Sequence, residues 1–237
     1  MNKNFSIILP TRDHPTLAKR LFESIVKTTS EPDSLEIVLY TDKDDTESCM
    51  LSHPSLSISK LSGEGETIGN ITRKCYEKSA GRFIMLANDD MIFQTKDWDK
   101  KVLEAFSRFK DEVALVYGND LYYGRRMSTF PILSRTACEL MDKICPAQYR
   151  RHCIDPHVLD IFKRLERLGH ERAAYLGKVI FEHMHNELGI LINDPEAMPQ
   201  SDEDDQDLYF KFADNRQQIA QKMADYIENN KIHREGS

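Results

Sequence analysis

The chain has 237 residues, 40% of them hydrophobic and 30% charged, with a formal net charge of −7. That composition builds a sizeable core and excludes global disorder. The acidic balance argues against a nucleic-acid binder, which needs a basic face for phosphates.

In chain order, Met1–Asn4 leads straight into the apolar run Phe5–Leu9. The run is too short for a signal segment, and no stretch approaches the roughly 20 apolar residues of a membrane span. The expected location is cytoplasmic, with peripheral association at the inner membrane face. Phe5–Leu9 reads as a buried strand ended by Pro10. Asp13-His14-Pro15 starts a helix carrying Leu17, Leu21 and Ile25 at helical spacing. Leu35–Tyr40 and the weaker Leu56–Leu61 read as further strands. Gly63-Glu64-Gly65 is a turn, and Thr67 caps a helix with Ile68, Ile71 and Cys75 on one side, stopped by Gly81. Arg82–Leu86 is a fourth strand that runs directly into Asn88-Asp89-Asp90. A helix with Trp98, Val102, Ala105 and Phe109 follows. A fifth strand, Val113–Tyr117, ends at Gly118-Asn119-Asp120.

The second half is less regular. Arg135–Ile144 and Pro156–Leu168 read as helices, and Tyr175–His185 as a strand with Val179, Phe181, His183 and His185 on one face. Ser201 precedes the acidic first turn of a last helix carrying Phe212, Ile219, Met223 and Ile227. The pattern leaves open whether that helix packs on the domain or forms a dimer. The five cysteines are odd in number, with no CxxC, and read as reduced thiols. Cys138, Cys145, His152, Cys153 and His157 fit no common zinc spacing.

The β–α alternation predicts an α/β fold, a mostly parallel sheet flanked by helices, which binds ligands at the carboxyl ends of its strands. Polar clusters stand at those ends: Thr11-Arg12-Asp13, Thr41-Asp42, Asn88-Asp89-Asp90 and Asn119-Asp120. Adjacent carboxylates at a strand end concentrate negative charge that a divalent cation relieves, so Asp89-Asp90 is a candidate site for Mn²⁺ or Mg²⁺. The alternative is an acidic turn capping the next helix. Asp155-Pro156 also suits a helix N-cap. Arg125-Arg126 suit solvated surface charge or a clamp on a leaving diphosphate.

The ordered set of motifs resembles the family 2 glycosyltransferases with a GT-A fold. Ser6-Ile7-Ile8-Leu9-Pro10-Thr11-Arg12-Asp13 is similar to the family's opening strand and loop, and Glu36–Asp42 to its second strand. Gly69, Arg73 and Ser79–Ile84 are similar to the helix and strand before the metal motif. Leu86-Ala87-Asn88-Asp89-Asp90 resembles that DXD-type motif, and Trp98-Asp99 the pair that follows it in a subset of members. The match is good over residues 5–120 and patchier beyond. The resemblance implies one GT-A-type domain over 1–200, with a nucleotide-sugar half (1–120) and an acceptor-side half (121–200), and a C-terminal helical tail (201–237).

It also implies roles. Pro10, Thr11 and Asp42 line the nucleoside pocket, with Arg12 in the same loop. Arg73 approaches the base or diphosphate, and Asp89 holds the ribose or sugar. Asp90 binds Mn²⁺ or Mg²⁺, with His183 or His185 completing the metal shell. Asp155 is the base that deprotonates the acceptor, with Asp120 as competitor. The partners implied are a nucleotide-diphosphate sugar and a glycan or lipid-linked acceptor. The reaction implied is inverting transfer in surface polysaccharide synthesis. The family pattern is broken where Arg12 replaces Tyr, Thr41 replaces Asp and Asn88 replaces Asp. A non-catalytic GT-A-like binding module and a nucleotidyltransferase are the rival readings. The latter is disfavoured because the first loop has no glycine to cradle a triphosphate.

Overall fold

The computed structural model describes residues 3–184 and 203–235. Its elements in chain order begin with β1 (Phe5–Thr11), α1 (Pro15–Thr28), β2 (Leu35–Asp42), α2 (Thr46–Cys49), β3 (Ser57–Gly63) and α3 (Ile68–Lys78). They continue with β4 (Phe83–Leu86), β5 (Met91–Phe93), α4 (Trp98–Phe106), β6 (Leu115–Asn119), β7 (Ile132–Ser134) and α5 (Arg135–Leu140). The chain closes with α6 (Ile154–Arg167), β8 (Ala173–His183), α7 (Glu203–Lys211) and α8 (Ala213–Glu235).

The strands form one eight-stranded sheet in the order β3-β2-β1-β4-β7-β6-β8-β5. β3, β2, β1 and β4 are mutually parallel. β7 is antiparallel to both β4 and β6, β8 is parallel to β6, and β5 runs against β8. β1, β2, β3, β4, β6 and β8 therefore all deliver their carboxyl ends to one rim. β5 and β7 are strands the apolar pattern does not announce. Each is a three-residue element, shorter than any period-2 signal can mark.

Period-2 alternation sorts each strand onto two faces. Phe5, Ile7 and Leu9 join Leu35, Ile37, Leu39, Phe83 and Met85 in one core, under α1 and α4. Ile8, Val38, Tyr40, Ile84 and Leu86 join the other, under α3, α5, α6 and α8. Trp98-Asp99, one of the family-like motifs, is structural. The indole is fully buried and donates to Thr29 Oγ1 at 3.0 Å, and the carboxylate accepts the Ser30 and Glu31 N–H groups at 3.0–3.1 Å. Together they tie the end of α1 to the start of α4.

Several elements in the second half have other bounds than the pattern predicts. α5 stops at Leu140 rather than Ile144, and Asp142, Lys143 and Ile144 all have positive φ (53°, 69° and 79°). A β-branched residue there is strained, and the conformation is held from outside. Arg73 donates to the Asp142 carbonyl at 2.6 Å and the Cys145 carbonyl at 3.1 Å. α6 starts at Ile154, so Asp155 lies in its first turn. The N-cap position is Cys153, with φ 70° and no side-chain cap bond. The final helical segment is broken at Phe212 into α7 and α8, and Ile219, Ala220, Met223, Ala224 and Ile227 of α8 are buried in the core that contains α6. No helix among the described residues is long and apolar enough to cross a membrane.

Gly81 joins α3 to β4 at a point where there is no room for a side chain. Its N–H donates to Ser6 Oγ at 2.8 Å, and an added Cβ would stand 2.5 Å from the Ser6 backbone nitrogen. Because that neighbour is backbone in a central strand, it does not yield. Gly81→Ala should cost about 1–3 kcal/mol, read as a lower midpoint in urea unfolding with an unchanged slope.

Candidate functional site

The site lies on the rim where the parallel strands end. β1 delivers Thr11, which is 6% exposed and donates through Oγ1 to Asp89 Oδ2 at 2.6 Å. Pro10, half-buried, precedes it within the strand. The loop after β1 adds His14, whose Nδ1 lies 3.4 Å from the same Asp89 oxygen. β2 delivers Asp42, and Arg12 Nη1 reaches Asp42 Oδ2 at 2.7 Å. Arg12 itself is mostly exposed and also faces Asp13 and Asp44. Asp45 fixes this loop by accepting the Asp13 N–H through Oδ2 at 2.7 Å and the Ser48 N–H through Oδ1 at 3.0 Å. Thr41, which breaks the family pattern, is buried, and its hydroxyl meets Cys49 Sγ at 3.2 Å.

The turn between β4 and β5 carries Asp89 and Asp90. Burial, and then the neighbouring Asp90 carboxylate, push the Asp89 carboxyl above its ordinary value, against the pull of Thr11 and His14. Asp90 is 8% exposed. Its Oδ2 lies 3.1 Å from Nε2 of His183 at the end of β8, and its carbonyl accepts the Met184 N–H at 3.0 Å. Residues 93 positions apart are thus brought into contact because β5, which follows Asp90, pairs with β8 in the register Met91↔His183. His183 also packs edge-on against Phe130, 5.1 Å between ring centroids. His185 lies outside the described residues.

A carboxylate and an imidazole facing each other, with a second carboxylate beside them, form a donor set that suits Mn²⁺ or Mg²⁺. Among the described residues no group of three His, Cys, Asp or Glu side chains is arranged to hold an ion unaided. Two protein ligands fit an ion that completes its shell with water and substrate phosphate oxygens.

Two further acidic residues, Asp120 after β6 and Asp155 on α6, stand in different environments. Asp120 is 2% exposed. Its Oδ1 accepts the Tyr122, Tyr123 and Gly124 N–H groups at 2.8–3.0 Å, and its Oδ2 accepts the Thr129 hydroxyl at 2.6 Å. This carboxylate folds the loop after β6. Its backbone carbonyl accepts the His183 N–H at 3.2 Å. Asp155 is a partly buried side chain in the first turn of α6. Burial, and then the Asp120 charge, push its carboxyl well above the usual carboxylate range. An N-cap role for Asp155 is ruled out, because Cys153 occupies that position.

The Arg73 guanidinium donates to the Asp142 and Cys145 carbonyls and to Asp142 Oδ2, so it shapes the loop after α5. A long flexible cation in a helix reads the same in sequence whether it meets a ligand or a carbonyl. His14 and Asp45 are site residues that the sequence pattern does not single out. Only their position in the loops that follow β1 and β2 could have drawn attention to them.

No protein-family model matches the chain, and no curated protein matches it. Solved structures do. The mannosyltransferase PcManGT from Pyrobaculum calidifontis, in complex with GDP-Man and Mn²⁺, superposes with a TM-score of 0.58 at 14% identity over 95% of this chain and 70% of that one. A 1–349 fragment of S. aureus TarS, in complex with UDP-GlcNAc, gives 0.58 at 16% identity over 76% of this chain and 60% of that one. A longer TarS structure gives 0.57 at 14% identity, and there the match spans only 36% of that chain. The fold is accordingly a GT-A-like, Rossmann-related glycosyltransferase fold, a mixed and mostly parallel sheet with flanking helices.

The raised Asp155 carboxyl has a consequence for stability. The folded chain favours the protonated form. The resulting contribution is full below the ordinary carboxylate value of about 3.9 and is lost as pH rises through the raised folded value. Asp155→Asn, neutral at every pH, should match the wild type in acid. Above the raised midpoint it should be more stable, by on the order of 1 kcal/mol or more. Thermal melts from about pH 3 to about pH 8 would check this, and a constant difference across that range would refute it.

Proposed function

We propose that this chain is an inverting, metal-dependent glycosyltransferase that moves a sugar from a nucleotide-diphosphate sugar to a hydroxyl of a glycan or lipid-linked acceptor. The single observation that carries the reading is the contact of Asp90 with His183 on the rim of a GT-A-like sheet. The similar structures solved with GDP-Man and Mn²⁺ and with UDP-GlcNAc support the donor class. Surface polysaccharide synthesis is the setting that the resemblance favours.

In this reading Asp90 and His183 hold the divalent ion. When bound, the ion supplies Lewis-acid stabilisation to the departing diphosphate. Thr11 and Pro10 border the nucleoside. Asp42, oriented by Arg12, takes a hydroxyl or base edge of the nucleoside. Asp89, aligned by Thr11 and His14, takes a hydroxyl of the ribose or sugar. On the acceptor side Asp155 receives the proton of the acceptor hydroxyl. That oxygen bonds to the anomeric carbon from the face opposite the nucleoside diphosphate, the bond from that carbon to the diphosphate oxygen breaks with its electron pair, and the configuration inverts. A carboxyl with a raised pKa is a stronger base once ionised, which suits proton abstraction near neutral pH.

Two substitutions divide binding from chemistry. Asp90→Ala should abolish the Mn²⁺-dependent part of UDP or GDP binding in titration calorimetry. Asp155→Asn should keep that binding and lose turnover by about 10²–10⁴-fold. Mn²⁺-dependent nucleotide binding that survives Asp90→Ala would overturn the reading of the metal site.

A further inference from the structure

Although Asp155 needs a fixed direction, the start of α6 contains no local device to supply one. Its N-cap, Cys153, is left-handed at φ 70° and makes no side-chain cap bond. The residues just before it, 150–152, form a loop. The Ile68 N–H at the start of α3 bonds the Arg150 carbonyl at 3.1 Å, but the loop's own N–H groups are gathered from 53 to 55 residues further along the chain. Asp205, on α7 and fully buried, accepts the Arg150 N–H through Oδ1 at 2.8 Å, and the Arg151 and His152 N–H groups through Oδ2, also at 2.8 Å. Three successive N–H groups converging on one carboxylate form an anion nest whose anion is a side chain.

α7 is in turn locked to α6. Arg216 of α8, 2% exposed, donates to Asp160 Oδ2 on α6 at 2.6 Å and to the Tyr209 carbonyl on α7 at 2.6 Å, with its guanidinium 3.9 Å from the Tyr209 ring centre. On the other side of the loop, Tyr149 Oη and His157 Nδ1 make a buried contact at 2.9 Å. Burial keeps that imidazole neutral, with its pKa lowered to about 3.

We propose that Asp205 is a positioning residue. By gathering the N–H groups of Arg150, Arg151 and His152, it sets the entry angle of α6 and with it the direction of Asp155 in the first turn. The C-terminal helices then belong to the catalytic unit. This rests on Asp155 being the base. The ionised state of Asp205 suits the task. Burial alone would raise its carboxyl, but the backbone bonds from Arg150, His152 and Arg151 outweigh that and keep it below the ordinary value.

The test uses the full chain and two probes. Asp205→Asn turns an amide N–H₂ toward N–H donors and breaks the nest while nearly preserving shape. In carbon-detected NMR, the Asp155 carboxyl should then titrate lower, toward an ordinary carboxylate, and the amides of 150–152 should lose exchange protection. Hydrolysis of UDP-GlcNAc or GDP-mannose, whichever the wild type turns over, should fall in kcat by about 10²-fold with KM for the donor unchanged. Asp204→Ala is the control. Asp204 is exposed and pairs with the Arg150 side chain at 2.5 Å, so its loss should alter none of these readings. Should Asp205→Asn not melt cooperatively, Asp205→Ser carries the same test with a smaller neutral acceptor. A wild-type Asp155 titration in either folded variant overturns the positioning role. If Asp155→Asn instead retains wild-type hydrolysis, the base assignment fails, a result separate from the titration.

Discussion

Crowding of carboxylates at one rim of a parallel sheet is the constraint around which this molecule is built. β2, β4 and β6 all end at or run into aspartates on the same side, and like charges brought together out of water are costly unless each has a partner. The structure resolves the cost residue by residue. Asp42 takes Arg12, Asp89 takes Thr11 and His14, Asp90 takes His183, and Asp120 takes three backbone N–H groups and a threonine hydroxyl. The Asp155 carboxyl is pushed upward by burial and then by the Asp120 charge. A site in which carboxylates differ this much in environment can assign different tasks to chemically identical groups.

The partners of those carboxylates come from distant parts of the chain. His183 reaches Asp90 only because β8, parallel to β6, carries on to pair with the short β5 that follows Asp90. β8 does this through a register shift opposite Gly118 and Asn119. Gly118 lacks a side chain where a Cβ would stand 2.6 Å from the Phe181 ring, so β8 lies close enough to align His183. Packing of an aromatic residue two positions before the imidazole thus helps to fix where the imidazole goes.

The two ends of the chain play unlike parts. The first half supplies six of the eight strands and most of the rim loops, with β7 and β8 added from the second half. The C-terminal helices reach back to α6 and the loop before it through polar contacts, Asp205 with the 150–152 backbone and Arg216 with Asp160. Buried ionic contacts contribute modest net stability and enforce geometry strongly, because breaking one leaves a charge stranded. That property suits elements whose task is orientation. The same logic applies to Arg73, which holds the left-handed turn at Asp142–Ile144 that α5 would otherwise have continued through.

Local pattern was enough to reveal the parallel strands of the first half, the helices between them, and the polar clusters at strand ends. A buried strand must be apolar along its length, and a strand end must return to water or to a ligand. The same alternation placed Val179, Phe181 and His183 on one face of β8. Sequence could not tell whether Arg73 meets a ligand or a carbonyl, whether Asp155 caps a helix or lies in its first turn, or whether Asp205 in the acidic first turn of its helix serves that helix or a loop over fifty residues away. Each of those choices depends on which long-range neighbour arrives first with a better hydrogen bond. Such a bond leaves no periodicity in the chain, because its two halves are set by the packing of whole elements and not by the residues next to them. The residue types and their local setting were therefore readable one segment at a time, while their partners were decided by tertiary structure alone.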